Sequence, residues 1–283
     1  MRTQSLACRL VAFVLAALVG GEAAAQDQPP VAERAAPPIQ DNSFLIEEAY
    51  NQERGVVQHI STFDVAGEGS WLYAFTQEWP VRGQRHQLSF TIPVQRTELA
   101  GASRTGLGDV LINYRLQLGS GPDSRTAVAP RLSLLLPTGD ETRGRGAGAV
   151  GVQANLPLSV ELSRQVVMHF NAGATLIPSA KSPLGAEATT HGFNVGQSTI
   201  WLVRRSFNFM LELAWASEEG VVGDDLVERD RTLVIAPGMR GAIDFASGLQ
   251  VVPGVAFPIE MRSGSDDFRV LFYLSFEHPF SRR

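Results

Sequence analysis

The chain is poor in cysteine, in charge and in long apolar runs. Its 283 residues include one cysteine, Cys8, and 19% charged side chains. A lone thiol excludes a disulfide framework and a cysteine-based zinc site. Leu10–Val19 is the one sustained apolar stretch, and it falls short of the roughly 20 residues a helix needs to cross a bilayer. A polytopic helical membrane protein is thereby excluded. Disorder is excluded by a hydrophobic content of 44%. Basic residues do not dominate either. Lys and Arg number 24 against 29 Asp and Glu, a net charge of −5, so nucleic acid is not an expected partner.

Chemical motifs are scarce as well. There is no GxGxxG after a strand, no Walker A, no HExxH and no GxSxG. The glycines of Gly139–Gly151 lack the Lys-Ser/Thr ending and following helix of a phosphate loop. His59, His86, His169, His191 and His278 are scattered without ligand spacing. No cofactor, metal site or catalytic residue is expected.

What is present begins with an address. Arg2 and Arg9 precede Leu10–Val19, and Ala23-Ala24-Ala25 precedes Gln26, which reads as a secretory signal peptide over residues 1–25. Cleavage would remove Cys8, two arginines and Glu22, leaving 22 basic and 28 acidic residues, net −6. The Pro- and Ala-rich stretch that follows reads as a flexible periplasmic lead-in over 26–41.

From about Gly55 the dominant period is two. Val152, Ala154, Leu156, Leu158, Val160 and Leu162 alternate with Gln153, Asn155, Pro157, Ser159 and Glu161. Phe207, Phe209, Leu211, Leu213 and Trp215 oppose Asn208, Met210, Glu212 and Ala214. A helix, with period 3.6, cannot sort these residues onto two faces. Twelve strand cores of about ten residues follow, near 55–64, 70–80, 85–95, 107–118, 127–136, 151–161, 166–176, 193–204, 207–217, 230–240, 248–257 and 268–279. Long connections, such as Thr97–Gly106, Pro137–Val150, Ile177–Gly192 and Ser217–Arg229, alternate with short ones such as Val81–Gln84 and Arg204–Ser206. Long outer loops and short periplasmic turns are the habit of outer-membrane barrels. Trp71, Tyr73, Phe75, Trp79, Trp201 and Trp215 fit aromatic girdles. The last strand alternates apolar residues from Val270 to Phe280, like the C-terminal signal of bacterial outer-membrane proteins. The expected fold is all-β: a transmembrane antiparallel up-and-down β-barrel of about twelve strands, over residues 42–283. A soluble exported β-sandwich is the alternative.

Several stretches are similar to the transporter family named for the MetA pathway of phenol degradation. They are Asn42–Glu53, Gly55–Ile60, Gly106-Leu107-Gly108-Asp109, and Leu136-Pro137-Thr138-Gly139-Asp140 with Gly144, Gly146 and Gly148. The resemblance runs from about Asp41 to Phe280. It implies an outer-membrane barrel that passes small, often aromatic or hydrophobic, molecules. Asn42–Glu53 could be a periplasmic helix, a plug entering the lumen, an extra strand or a solvated turn.

By parity, the lumen is lined by Glu78, Asn113, Arg115, Arg131, Asn155, Glu161, His169, Asn171, Glu212, Arg240, Arg269 and Glu277. Opposite charges on facing walls could pair and hold a narrow bore shut, or set a transverse field across an open one. Twelve strands enclose a small lumen. The leading expectation is therefore an outer-membrane channel that passes small molecules by diffusion along a polar-lined path. One alternative is a structural or adhesive barrel with a plugged lumen. The other is a membrane lipid hydrolase using His169 and Ser159. Expected partners are outer-membrane lipid and lipopolysaccharide, the barrel-assembly machinery and small-molecule solutes. Solvated charge, with metal-bridged lipopolysaccharide contact as the alternative, is expected of Asp224-Asp225 and Asp266-Asp267.

Overall fold

The computed structural model describes residues 41–99, 101–118, 124–262 and 264–280. The expected signal peptide and nearly all of the lead-in lie outside them. Twelve antiparallel strands follow one another around a closed ring. They are β1 (Val56–Ala66), β2 (Trp71–Pro80), β3 (His86–Leu99), β4 (Ala102–Leu107 and Val110–Leu116), β5 (Thr126–Val128 and Arg131–Leu136) and β6 (Gly151–Asn155 and Leu158–Glu161). Then come β7 (Val166–Lys181), β8 (Glu187–Arg204), β9 (Phe207–Gly223), β10 (Leu226–Gly241 and Ile243–Asp244), β11 (Gln250–Ala256 and Ile259–Arg262) and β12 (Ser265–Pro279). The ring closes where β1 pairs with β12, from Val56↔Pro279 to Ala66↔Arg269. Closure leaves no free strand edge.

Five of the strands are interrupted, two at Gly108-Asp109 and Ala242 and three at Pro130, Pro157 and Pro258. Proline has no N–H for the ladder, so the pairing skips there. The wall stays sealed because flanking groups bond across the gaps. Leu116 N–H donates to Pro130 O, Ala129 N–H to Pro157 O, and Arg269 N–H to Pro258 O.

Parity sorts the residues as the alternation requires. Leu132, Leu134, Val152, Val195, Leu211, Leu213 and Phe272 are exposed on the outer surface. They form the apolar belt that a bilayer covers. Aromatic pairs rim both ends of the belt: Phe63 with Trp71 at one end, Trp79 with Phe90 and Phe207 with Phe209 at the other.

Most connections expected to be long loops are strand instead. β7 runs on to Lys181, β8 begins at Glu187, and β9 and β10 continue to a tight turn at Asp224-Asp225. Polar residues lengthen these hairpins because they pair across strands, as Glu219 does with Arg229. Pro137–Val150 is the connection that remains a true long loop. It is pinned by Asp109, whose carboxylate accepts from Gly139 N–H (2.9 Å) and Ala147 N–H (2.7 Å). Two of the similar stretches, Gly106–Asp109 and Leu136–Gly148, are thus partners in one loop anchor.

Candidate functional site: a strapped lumen

Asp41–Gln52 is neither helix nor strand. It lies inside the barrel as an extended strap and follows the inner wall round in reverse strand order. Asp41, Phe44, Ile46, Glu48, Ala49, Asn51 and Gln52 are all buried. A backbone placed in a lumen has no ladder partner, so each N–H needs another acceptor. The wall's side chains supply them.

Three consecutive N–H groups, of Phe44, Leu45 and Ile46, converge on the carboxylate of Glu212 from β9 at 3.0–3.1 Å. Successive backbone donors of this kind form an anion nest, and here the anion belongs to the protein. Farther along, Glu47 N–H donates to Asn171 Oδ1 on β7 (2.9 Å) and Ala49 N–H to Ser159 Oγ on β6 (2.7 Å). Asn51 N–H donates to Gln117 and Gln52 N–H to Gln87, both at 2.7 Å. Arginines hold the carbonyls. Arg240 of β10 donates to Asp41 O and Asn42 O, both at 2.7 Å. Arg115 of β4 donates to Glu48 O (3.2 Å), Tyr50 O (2.6 Å) and Asn51 Oδ1 (2.7 Å).

The strap's first carboxylate closes the circuit. Asp41 accepts from Gln58 of β1 and from Tyr273 and Ser275 of β12. Ser43 reaches Ser198 of β8, and Glu47 pairs with Arg131 of β5. Among the described residues, every strand except β2 and β11 gives the strap a hydrogen bond or an ion pair.

Packing reinforces one half of the circuit. Phe44 sits in an apolar cluster with Ile60, Ile200, Met210, Val252, Ala256, Leu271 and Tyr273. Its ring lies over Gly238 and Gly254, where an added Cβ would come within 2.5 and 2.6 Å of it. Glycine is required at both positions because any side chain would occupy the space of the ring.

The opposite half is wet. A cavity of about 150 Å³ opens between Asn42–Glu47 of the strap and the wall of β1–β5. Thr62, Thr76, Glu78, Asn113, Arg115 and Arg131 are among its lining. Asn113 Oδ1 and Arg131 Nε, both buried there, have no protein partner among the described residues.

All twelve residues assigned to the lumen by parity fall on inward positions, and the strap collects most of them. Arg115, Arg131, Asn171, Glu212 and Arg240 bond to it directly, and Glu277 approaches it through Gln52 Nε2 (3.4 Å). Glu78 lies 3.7 Å from Arg115 and accepts from Gln87. Asn155 donates to Asn171 at 3.4 Å, and Glu161 lies near Tyr50. Arg269 stands apart, bonded to Asp64 and Glu260 toward the hairpin end. The expectation that wall charges pair across the bore needs correction. Arg240 and Glu212 do not pair with each other; both bind strap backbone, because a segment fills the space between them.

Ser159 and His169 do meet, at 2.7 Å. Both are buried, at 0% and 2% exposure. The serine oxygen already accepts from Ala49, and no carboxylate orients the histidine among the described residues. The contact is part of the strap's seat. Sequence spacing missed one pair. His59 and His278, far apart in the chain, bring their Nε2 atoms to 3.2 Å on the outer face of the β1–β12 seam. Only ring closure shows this. No group of three or more metal-ligating side chains occurs among the described residues.

No family model and no curated protein sequence matches the chain. Solved structures do. A crystal structure of an outer-membrane channel from Pseudomonas putida F1 superposes with a TM-score of 0.63 at 12% identity, covering 84% of this chain and 99% of that one. The NanC porin superposes with a TM-score of 0.51 at 8% identity, covering 78% and 98%. The chain has the fold of outer-membrane channels.

Proposed function

We propose that this protein is an outer-membrane channel for small molecules, exported by its N-terminal signal peptide, with a lumen narrowed by its own strap. The observation that carries the reading is the lumen's asymmetry. Most of the strap's apolar packing lies on one wall, and an open cavity lies between Asn42–Glu47 and β1–β5. Solutes would pass along that side. Its lining joins hydroxyls, amides and opposite charges to the apolar edges of Phe44, Leu45, Ile46 and Ile60. Such a lining suits small amphipathic solutes, including ring compounds with one polar group. The fold shared with outer-membrane channels supports a channel, and the resemblance to the MetA-pathway transporters supports this solute class. The outer belt contacts membrane lipid and lipopolysaccharide, and the alternating last strand is the segment offered to the barrel-assembly machinery.

The extent of the strap's anchoring favours one second reading, a barrel sealed in its resting state. A single experiment separates the two. Planar-bilayer conductance and liposome swelling are measured for the full chain and for Glu212→Ala, which strips the acceptor from three buried N–H groups. The channel reading expects small but measurable permeability in the natural chain and a several-fold rise in the variant. Conductance in the variant alone supports the sealed barrel. No permeability in either rejects a channel.

A further inference from the structure

The two ends of the barrel differ in how their charges are paired. At the hairpin end Arg96, Arg104 and Arg231 have no ion pair among the described residues, but most cations are neutralised within the protein. Arg143 and Arg145 pair with Asp140, Lys181 with Glu187, Arg229 with Glu219, and Arg262 and Arg269 with Glu260. Carboxylates remain in excess there, among them Glu68, Asp224, Asp225, Asp266 and Asp267.

At the end that carries Gly55 and Phe280, the cations are bare. Arg82 and Arg85 lie in the β2–β3 turn, Arg164 in the β6–β7 turn, and Arg204 and Arg205 at the β8–β9 turn. Arg54 precedes β1 and Arg125 precedes β5. All are exposed, and none takes part in an ion pair among the described residues. Against them stand the exposed carboxylates of Glu53 and Asp244. The chain's single lysine, Lys181, lies at the other end, so every cation here is a guanidinium, the group whose planar fork matches phosphate oxygens in pairs.

Height decides what these arginines face. Trp79 ends β2 two residues from the Val81–Arg82 turn, and Trp201 lies three residues before Arg204 with 56% of its surface exposed. Outward-facing tryptophans of this kind sit at the bilayer interface. Arginines just beyond them extend their guanidiniums into the headgroup layer while their stems stay along the apolar belt. In outer-membrane barrels the short turns and both termini face the periplasm.

We infer that this arginine rim is a binding surface for the phosphates of anionic glycerophospholipids in the periplasmic leaflet. The rim would gather such lipids around the short turns and fix the depth of the barrel. The gap at the β10–β11 turn, where Asp244 replaces arginine, would be the one stretch of the annulus without this preference. The inference rests on the membrane barrel and not on transport, so a channel that fails to conduct leaves it standing.

The four tryptophans make the test local, since Trp79 and Trp201 report on the turn end and Trp71 and Trp215 on the hairpin end. Two full-length variants, Trp71→Phe/Trp215→Phe and Trp79→Phe/Trp201→Phe, are placed in vesicles of phosphatidylglycerol and phosphatidylcholine. Either lipid is brominated in turn, so that it quenches tryptophans it touches. Brominated lipid fills both leaflets, so insertion direction does not matter. Phosphatidylglycerol should be preferred about three- to tenfold at Trp79 and Trp201, a preference that salt weakens, with none at Trp71 and Trp215. Replacing Arg82, Arg85, Arg204 and Arg205 by Gln should bring the ratio to about one. If the fourfold variant does not fold, judged by loss of its heat-dependent gel shift, the two double variants are read separately at Trp79 and Trp201. Equal quenching in the natural rim, or a preference that survives the glutamines, overturns the inference. So does arginine-dependent sedimentation with isolated peptidoglycan without lipid preference, which would assign the rim to the cell wall.

Discussion

The two walls of the lumen are built to different rules. From β8 to β12 the inner face carries a dry cluster, Ile200, Met210, Val252, Ala256 and Leu271 packed around Phe44, beside the buried polar anchors Glu212, Arg240 and Ser275. From β2 to β6 it is polar, with Gln87, Ser89, Asn113, Arg115, Ser133 and Asn155 buried at inward positions. The same strap touches both. On the first wall packing is added to the hydrogen bonds of Glu212, Arg240, Tyr273 and Ser275, and on the wet wall the strap is held mainly by polar contacts, which water or a solute can replace.

The largest effect should come from removing the anchor of the dry wall. Phe44→Ala deletes a buried ring and leaves a cavity over Gly238 and Gly254, at a cost of about 3–5 kcal/mol to docking. With Ser43→Cys as a reporter in a Cys8→Ser background, thiol labelling should rise sharply relative to the same reporter with Phe44. Unchanged labelling would show that hydrogen bonds alone hold the strap and would erase the distinction between the walls.

A smaller effect is expected on the wet wall. Arg115→Ala removes three hydrogen bonds to the strap and the cation nearest Glu78. Because solvent can substitute on that side, the loss should be about 1–3 kcal/mol. The charge change should be the clearer signal. Reversal potentials in a salt gradient should move toward cation selectivity, and no movement would place the path elsewhere.

The smallest effect concerns pH. Glu48 is buried in the strap, and that burial, aided by the nearby Asp41 carboxylate and opposed by Arg115 and Arg240, holds its carboxyl well above the usual carboxylate range. A carboxyl with a raised pKa favours the docked strap while protonated. Its contribution is complete below the ordinary carboxylate pKa and is lost as pH rises through the raised one. Conductance should therefore climb with pH across that window. Glu48→Gln should flatten the climb, and an unchanged pH profile would assign the titration to another group.

Much of this architecture is legible in the residues because a strand's period of two is unambiguous where one face is apolar. Phe207–Trp215 sorts its neighbours without outside help, and the inward positions of Arg115, Glu212 and Arg240 follow from that count. The long outer connections were misjudged for the converse reason. Where Glu219 and Arg229 pair across strands, both faces are polar and the alternation leaves no mark, so continued strand looks like loop. The strap is legible only as one reading among several, a plug entering the lumen, and its contacts are not. Asp41–Gln52 has no period because its partners are not its sequence neighbours. Each of its bonds depends on which side chain the finished wall presents. Nothing near Glu212 in the chain indicates three N–H groups arriving from residues 44–46.

The strap also bears on the order of assembly. Its opening residue, Asp41, is bonded to Tyr273 and Ser275 of the last strand, more than 230 positions away. Neither partner is in place until β12 has joined β1, so the first described part of the chain is the last to settle. A slip of one residue in any of the ten strands that hold the strap turns its inward side chains outward, and the slipped strand could no longer supply its bond. The strap therefore proofreads the register of the ring: a correctly paired barrel is the only one that offers its whole backbone a seat.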